Sequence, residues 1–257
     1  MKTGLCTIAF KDRPFEAVLD LAVEAGIDGV EPWGKPNHIP SSCSGELLAE
    51  RNEAILSRGL VVSQFGSYAN PSSPLFETEM EEALTAARAF GTNQVRVWAG
   101  RCGSAEADDA AWRQAIEGLC VFSERAEDED LTLSVEMHGG RLTDTVDGCM
   151  RLIEGVANDA LRMNYQPLSN ETAEEAIGNA HRIAPYVAAV HAQNFVETGE
   201  SRRSLIREGI IDYAAILQIF RQSGFDGFVE VEFVREEDPI GSLRADAAYL
   251  RTLCESP

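Results

Sequence analysis

Lysine is nearly missing from this chain: only Lys2, Lys11 and Lys35 occur, against nineteen arginines. None of the three falls in the later apolar runs, which excludes Schiff-base chemistry at those strand ends. Histidine is scarcer than in any site built from many imidazoles, with His38, His138, His181 and His191 the whole supply. The six cysteines lie far apart, without a C-x-x-C pair or a zinc-ligand spacing. Without a signal-peptide pattern, reduced thiols of a cytoplasmic protein are the expectation. No apolar run approaches the ~18 residues that would span a membrane. Positive charge is short too: 22 Lys and Arg against 42 Asp and Glu leave a net charge of −20. Such a surface repels nucleic acid and anionic membranes.

What is present is a regular alternation. With 257 residues and 44% hydrophobic content the chain can bury one large core. A helical stretch, a turn and a short β-rich run recur roughly every 30 residues, the spacing of βαβ units. Four junctions carry a glycine just past the helical pattern: EAGIDGVEPW (24–33), SRGLVVSQF (57–65), AFGTNQVRVW (89–98) and SGFDGFVEVEF (223–233). With GLCTIAF (4–10), EDEDLTLSVEM (127–137), NDALRMNY (158–165) and APYVAAVHA (184–192), this gives eight strands and eight helical segments. Eight units in one chain of this size predict a single α/β domain over 1–257, a (β/α)8 TIM barrel. The open doubly wound sheet is disfavoured because no G-x-G-x-x-G follows the first strand. Segments after strands (33–44, 66–75, 99–108, 193–211) are long and polar, whereas those before strands are short. That asymmetry places function at the C-terminal mouth.

The later strands alternate in a telling way. Leu133, Val135 and Met137 share one face, leaving Ser134, Glu136 and His138 on the other. The same parity sets Arg96 and Trp98, Arg162, Asn164 and Gln166, His191 and Gln193, and Glu230 and Glu232 toward the interior, with Glu31 near the end of the second strand. A barrel interior is ordinarily filled by branched apolar side chains. Buried carboxylates crowded together raise one another's pKa, and a divalent cation relieves this. Glu136 and Glu232 supply charge, His191 a neutral nitrogen, and Gln166, Asn164 or Gln193 an amide oxygen. Such mixed O/N ligation suits Mn²⁺, Mg²⁺, Co²⁺ or Zn²⁺. The competing reading pairs the glutamates with Arg96, Arg162 or Arg235 and makes His191 a satisfied core residue. Glu31 divides evenly between the site and bracing of loops; Glu230, one layer deeper, suits structural pairing. His38 lies on a loop where a substrate contact is open, and His181 reads as a solvated or capping helix residue.

These motifs resemble the sugar phosphate isomerase/epimerase family of the xylose isomerase-like TIM-barrel superfamily. The segments are GIDGVEPW, SVEMHGG followed by LTDT, AVHAQNF, LIREGIIDYAAIL and GFDGFVEVEF, in the family's order across nearly the whole chain. The resemblance implies metal ligands Glu136, His191 and Glu232, from the fifth, seventh and eighth strands. The family's sixth-strand Asp is replaced within MNYQP, where Gln166 or Asn164 stands; Gln193 competes with His191, since some members use Gln there.

The expected function is therefore isomerisation or epimerisation of a small sugar, sugar phosphate or polyol derivative. Glu136 and Glu232 would move the proton, and the metal would polarise the carbonyl. His138, Trp33, Trp98, Asn164, Gln193 and Arg202 are the expected substrate contacts; Arg202 and Arg203, in the long 193–211 segment, read either as binders of a phosphate or carboxylate or as a solvated loop. The alternatives are a metal-dependent dehydratase acting on a keto-polyol and a non-catalytic sugar-binding barrel. The superfamily's DNA-repair endonucleases fit poorly, because this chain has too few histidines and the wrong charge. Expected partners are a small sugar-like molecule and neither nucleic acid nor membrane, with room for a homo-oligomer.

Overall fold

In the computed structural model, which describes residues 1–255, nine parallel strands form a single sheet. They are β1 (Lys2–Cys6), β2 (Gly29–Glu31), β3 (Val61–Val62), β4 (Phe65–Gly66), β5 (Gln94–Val97), β6 (Thr132–Glu136), β7 (Leu161–Tyr165), β8 (Val187–Ala192) and β9 (Phe228–Val231). The sheet order is β3-β2-β1-β9-β8-β7-β6-β5-β4. Its two edge strands are consecutive in the chain, so the sheet curls into a nearly closed barrel.

The count exceeds eight because the third predicted strand is split. Ser63 and Gln64 both turn inward, where the Ser63 hydroxyl and the Gln64 amide donate to Glu230 (2.5 and 3.0 Å). Two successive inward side chains break the period of two, and the ladder breaks with it.

Among the described residues eight α-helices cover the barrel: α1 (Phe15–Glu24), α2 (Gly45–Leu56), α3 (Phe76–Phe90), α4 (Asp109–Glu127), α5 (Val146–Val156), α6 (Ala173–Ile183), α7 (Tyr213–Gln222) and α8 (Pro239–Glu255). All four predicted helix-end glycines, Gly26, Gly59, Gly91 and Gly224, have positive φ, the conformation that ends a helix cheaply only without a Cβ. Thr172 and Glu175 close α6 with a reciprocal capping box. Among the described residues, no helix is long and apolar enough to cross a membrane.

The expected parity holds. Val95, Val97, Leu133, Val135, Met163, Val190, Val229 and Val231 are wholly buried against the helices. Each such side chain contributes about 1.5–3 kcal/mol by leaving water. The opposite face carries the polar interior, and Glu230 spans it next to Gly4, where a Cβ would lie 2.5 Å from Glu230 Cγ.

The segment between β8 and α7 is held by a dense network. The Asn194 amide donates to the carbonyls of Ile206 (2.7 Å) and Ile211 (2.9 Å) and accepts from Ile211 N–H (3.0 Å). Asp246 of α8 accepts from Ile206 N–H at 2.7 Å. Burial pushes the Asp246 carboxyl up to about 6 from 3.8, against the pull of that bond and of Arg235. A raised pKa favours the folded protein while the group is protonated, so this stability is full below pH 3.8 and fades as pH rises through 6. Asp246→Asn keeps the acceptor and removes the titration. Its melting temperature should match the parent's near pH 4 and exceed it near pH 8, by roughly 1–3 kcal/mol of stability. Parallel melting curves across that range would refute this.

Candidate active site

Strand alternation delivers four side chains to the upper interior: Glu136 from β6, Gln166 just past β7, and Gln193 and Glu232 just past β8 and β9. All are buried. The Gln166 amide is the hub. With the amide turned so that donors meet acceptors, its nitrogen donates to Glu232 Oε2 (2.9 Å) and Oε1 (3.2 Å) and to Glu136 Oε1 (3.2 Å), and its oxygen accepts from Gln193 Nε2 (2.9 Å). Gln193 is fixed through its own backbone, since its N–H donates to the Tyr213 hydroxyl and its carbonyl accepts from it, each at 2.9 Å.

His191 stands below this group, level with Glu230 across the β8–β9 pair. Its Nε2 is 2.7 Å from Glu31 Oε2 and 3.0 Å from the Asn164 amide, while its Nδ1 lies 3.5 Å from Glu232 Oε1. Burial opposes charge on Glu31, yet His191 and Arg96 hold its carboxyl down at about 2. An ionised Glu31 makes Nε2 the donor and turns Nδ1 toward Glu232. Burial likewise opposes the imidazolium, but Glu31 and Glu232 hold its pKa well above the usual histidine value.

The two glutamates are not equivalent. Arg96, itself fully buried, grips Glu136 Oε2 through Nη1 at 2.6 Å, and its Nε lies 3.5 Å from Glu31 Oε1. Among the described residues no arginine lies within ion-pair distance of Glu232. Burial raises the Glu136 pKa, Arg96 and His191 lower it, and Glu232 raises it; the net shift is upward. Glu230 is pushed up to about 8 by burial and by Glu31, partly offset by His191. Hydrogen-bonded to Ser63 and Gln64, it has the structural role read from its depth.

The donors fit a divalent ion. Glu136, His191 and Glu232 each offer a ligand atom, all within 4.8 Å of one another. His191 Nδ1 and Gln193 Oε1 are buried without a hydrogen-bond partner, and both border this group. A buried amide oxygen with nothing to satisfy it is costly unless something electropositive sits beside it, and the same ion would take the Nδ1 lone pair of a neutral His191. An amide also presents oxygen as readily as nitrogen, so Gln166 can turn its carbonyl to the same point.

An aromatic wall rises beside the carboxylates. Tyr68 stacks on Trp98 (5.4 Å, 16°), Trp98 meets His138 (4.7 Å), and Trp33 Nε1 donates to the Tyr68 hydroxyl (2.7 Å). Arg96 lies under both Tyr68 and Trp98, Lys35 Nζ over Tyr68 and Arg141 over Trp98. Trp98 Nε1 is buried and unpartnered.

Trp33, Trp98 and His138 therefore gather beside the carboxylates, and Asn164 sits deeper, against His191. One expected contact lies away from the site, and one open position closes. Arg202 is exposed and pairs with Glu200 at 3.3 Å, because the turn it occupies points it outward. His38 is buried and bonded to the Thr7 hydroxyl (2.9 Å) and the Arg13 carbonyl (3.2 Å), so both ring nitrogens are spent on the fold. His181 is exposed in the last turn of α6, as read. Tyr68, Lys35 and Arg141 were not legible beforehand: they sit on loops, where no periodicity reports direction.

A family model described as "Xylose isomerase-like TIM barrel" matches residues 19–253, and the chain belongs to that family. A 3-dehydroshikimate dehydratase of Bacillus anthracis is 24% identical, aligned over 91% of each chain. A xylose isomerase-like TIM-barrel protein of Mycobacterium smegmatis, solved with magnesium, superposes with a TM-score of 0.77 at 19% identity, covering 98% of this chain and 96% of that one. D-psicose 3-epimerase of Clostridium cellulolyticum H10, solved with D-tagatose, gives 0.77 at 15% identity over 100% of both.

Proposed function

We propose that this barrel is a divalent-metal-dependent lyase, removing the proton next to the carbonyl of a small polyhydroxylated substrate and expelling the β-hydroxyl as water. The observation that carries this is the asymmetry of the glutamates: Arg96 holds Glu136 at 2.6 Å, while Glu232 pairs with no arginine and has His191 Nδ1 at 3.5 Å. Epimerisation by two bases needs both carboxylates free to approach opposite faces of one carbon; a dehydration needs one base and one acid.

Glu136, His191 and Glu232, with Gln166 or Gln193, would hold the metal. When bound, it supplies a Lewis acid that stabilises the enolate charge. Glu232 takes the proton, being the carboxylate without an arginine. Glu136 stays anionic in the grip of Arg96 and fixes the charge of the site. His138, half-buried on the edge of Trp98, faces the mouth and gives a proton to the departing hydroxyl. Trp33, Tyr68 and Trp98 offer a flat wall that suits a ring and excludes water from it. The dehydratase relative supports the same reading.

Epimerisation is the second reading, favoured by the raised pKa of Glu136, which would let it accept a proton despite Arg96. The two separate by mass. Manganese-loaded protein given 3-dehydroshikimate or D-tagatose should lose one water from the former and leave the latter unchanged. Conversion of D-tagatose without change of mass would replace the lyase by an epimerase.

A further inference from the structure

At the rim between β8 and β9 stands an arginine with no acid to neutralise it. Past Gln193 and Asn194 the chain forms a short hairpin, Phe195 pairing antiparallel with Arg203. This turns Arg203 inward, while its neighbour Arg202 points to solvent. The Arg203 guanidinium lies 4.9 Å from the ring centre of Phe195 and 4.6 Å from that of Phe233. Those rings follow Asn194 and Glu232 directly in sequence, so the cation is seated at the edge of the carboxylate site.

Its Nη1 donates to the Ser201 carbonyl at 3.1 Å, and its Nε is buried without a partner. Among the described residues no carboxylate comes within ion-pair distance of it, although Glu232, Tyr213 and Glu236 surround it more remotely. Burial lowers its pKa, with only partial compensation from Glu232. The exposed arginines of the same segment differ, for Arg202 pairs with Glu200 and Arg207 with Glu208. A half-buried guanidinium with donors left over, held against two rings, is arranged to receive an oxyanion.

We propose that Arg203 binds the anionic group, carboxylate or phosphate, of the substrate whose oxygens the metal holds; this rests on the metal-dependent reading above. The substrate class then narrows to hydroxylated carbonyl compounds that carry an acid.

Matched probes test this by calorimetry on manganese-loaded protein. In 3,4-dihydroxybenzoate and catechol the same vicinal oxygens occur with and without a carboxylate. Dihydroxyacetone phosphate and dihydroxyacetone differ by a phosphate. In the parent the anionic member of at least one pair should bind about tenfold or more tightly than its neutral partner, as a charge-assisted pair provides. That advantage should vanish in Arg203→Met, shrink in Arg203→Lys, which keeps the charge but loses the fork, and persist in Arg202→Met. Which pair responds assigns carboxylate or phosphate. An advantage that survives Arg203→Met, or none in the parent, overturns the proposal. So does an equal loss for charged and neutral probes with a lowered melting temperature, the mark of a packing role. If neither neutral probe binds in the parent while the anionic ones do so through Arg203, the metal reading fails and the anion site stands.

Discussion

Glu232→Gln should cut turnover by about 10²–10⁴-fold, the range that removal of a positioned general base commands. The side chain keeps its shape and one oxygen to accept from Gln166, so the melting temperature should move little. Glu136→Gln should behave differently. It frees the fully buried Arg96 from its partner at 2.6 Å and so lowers stability as well as activity. Comparing kcat and thermal melting for the two variants separates a mobile base from an anchored charge. Equal losses of both properties would mean that the glutamates are interchangeable, and the lyase argument would fall with their asymmetry.

Arg96→Met carries the largest expected effect on stability. Arg96, Glu31 and Glu136 are each no more than 1% exposed, and the guanidinium serves both carboxylates. Its Nη2 also donates to the Ser67 carbonyl at 3.2 Å. Removing the cation strands two buried negative charges, at a cost of about 3–5 kcal/mol. Urea unfolding should show a lower midpoint with an unchanged slope. Adding Glu136→Gln should recover part of the loss, because one stranded charge is then neutral. A double variant no more stable than Arg96→Met would argue that the pair contributes little coupling.

Much of this interior was legible from alternation alone. The period of two placed Glu136, Asn164, Gln166, His191, Gln193 and Glu232 on one face, and closure of the sheet brought them together. The ion pair with Arg96 and a metal site are compatible readings, because Glu136 meets Arg96 through Oε2 and leaves Oε1 turned toward Gln166. His191 and Gln193 likewise both reach the site, at successive inward levels of one strand. The split of the third strand was not legible, since Ser63 and Gln64 turn inward to meet Glu230, 167 residues away in the case of Ser63. Nor was the choice between Arg202 and Arg203. Adjacent arginines are alike in sequence, and only the pairing of Phe195 with Arg203 decides which faces the rim.

The most direct test is a crystal of the protein soaked in Mn²⁺ and measured at the manganese absorption edge. The account predicts an anomalous peak bounded by Glu136, His191 and Glu232, with a Gln166 or Gln193 oxygen turned toward it. A map without that peak, and with the Gln166 amide still hydrogen-bonded between the two carboxylates, would contradict it.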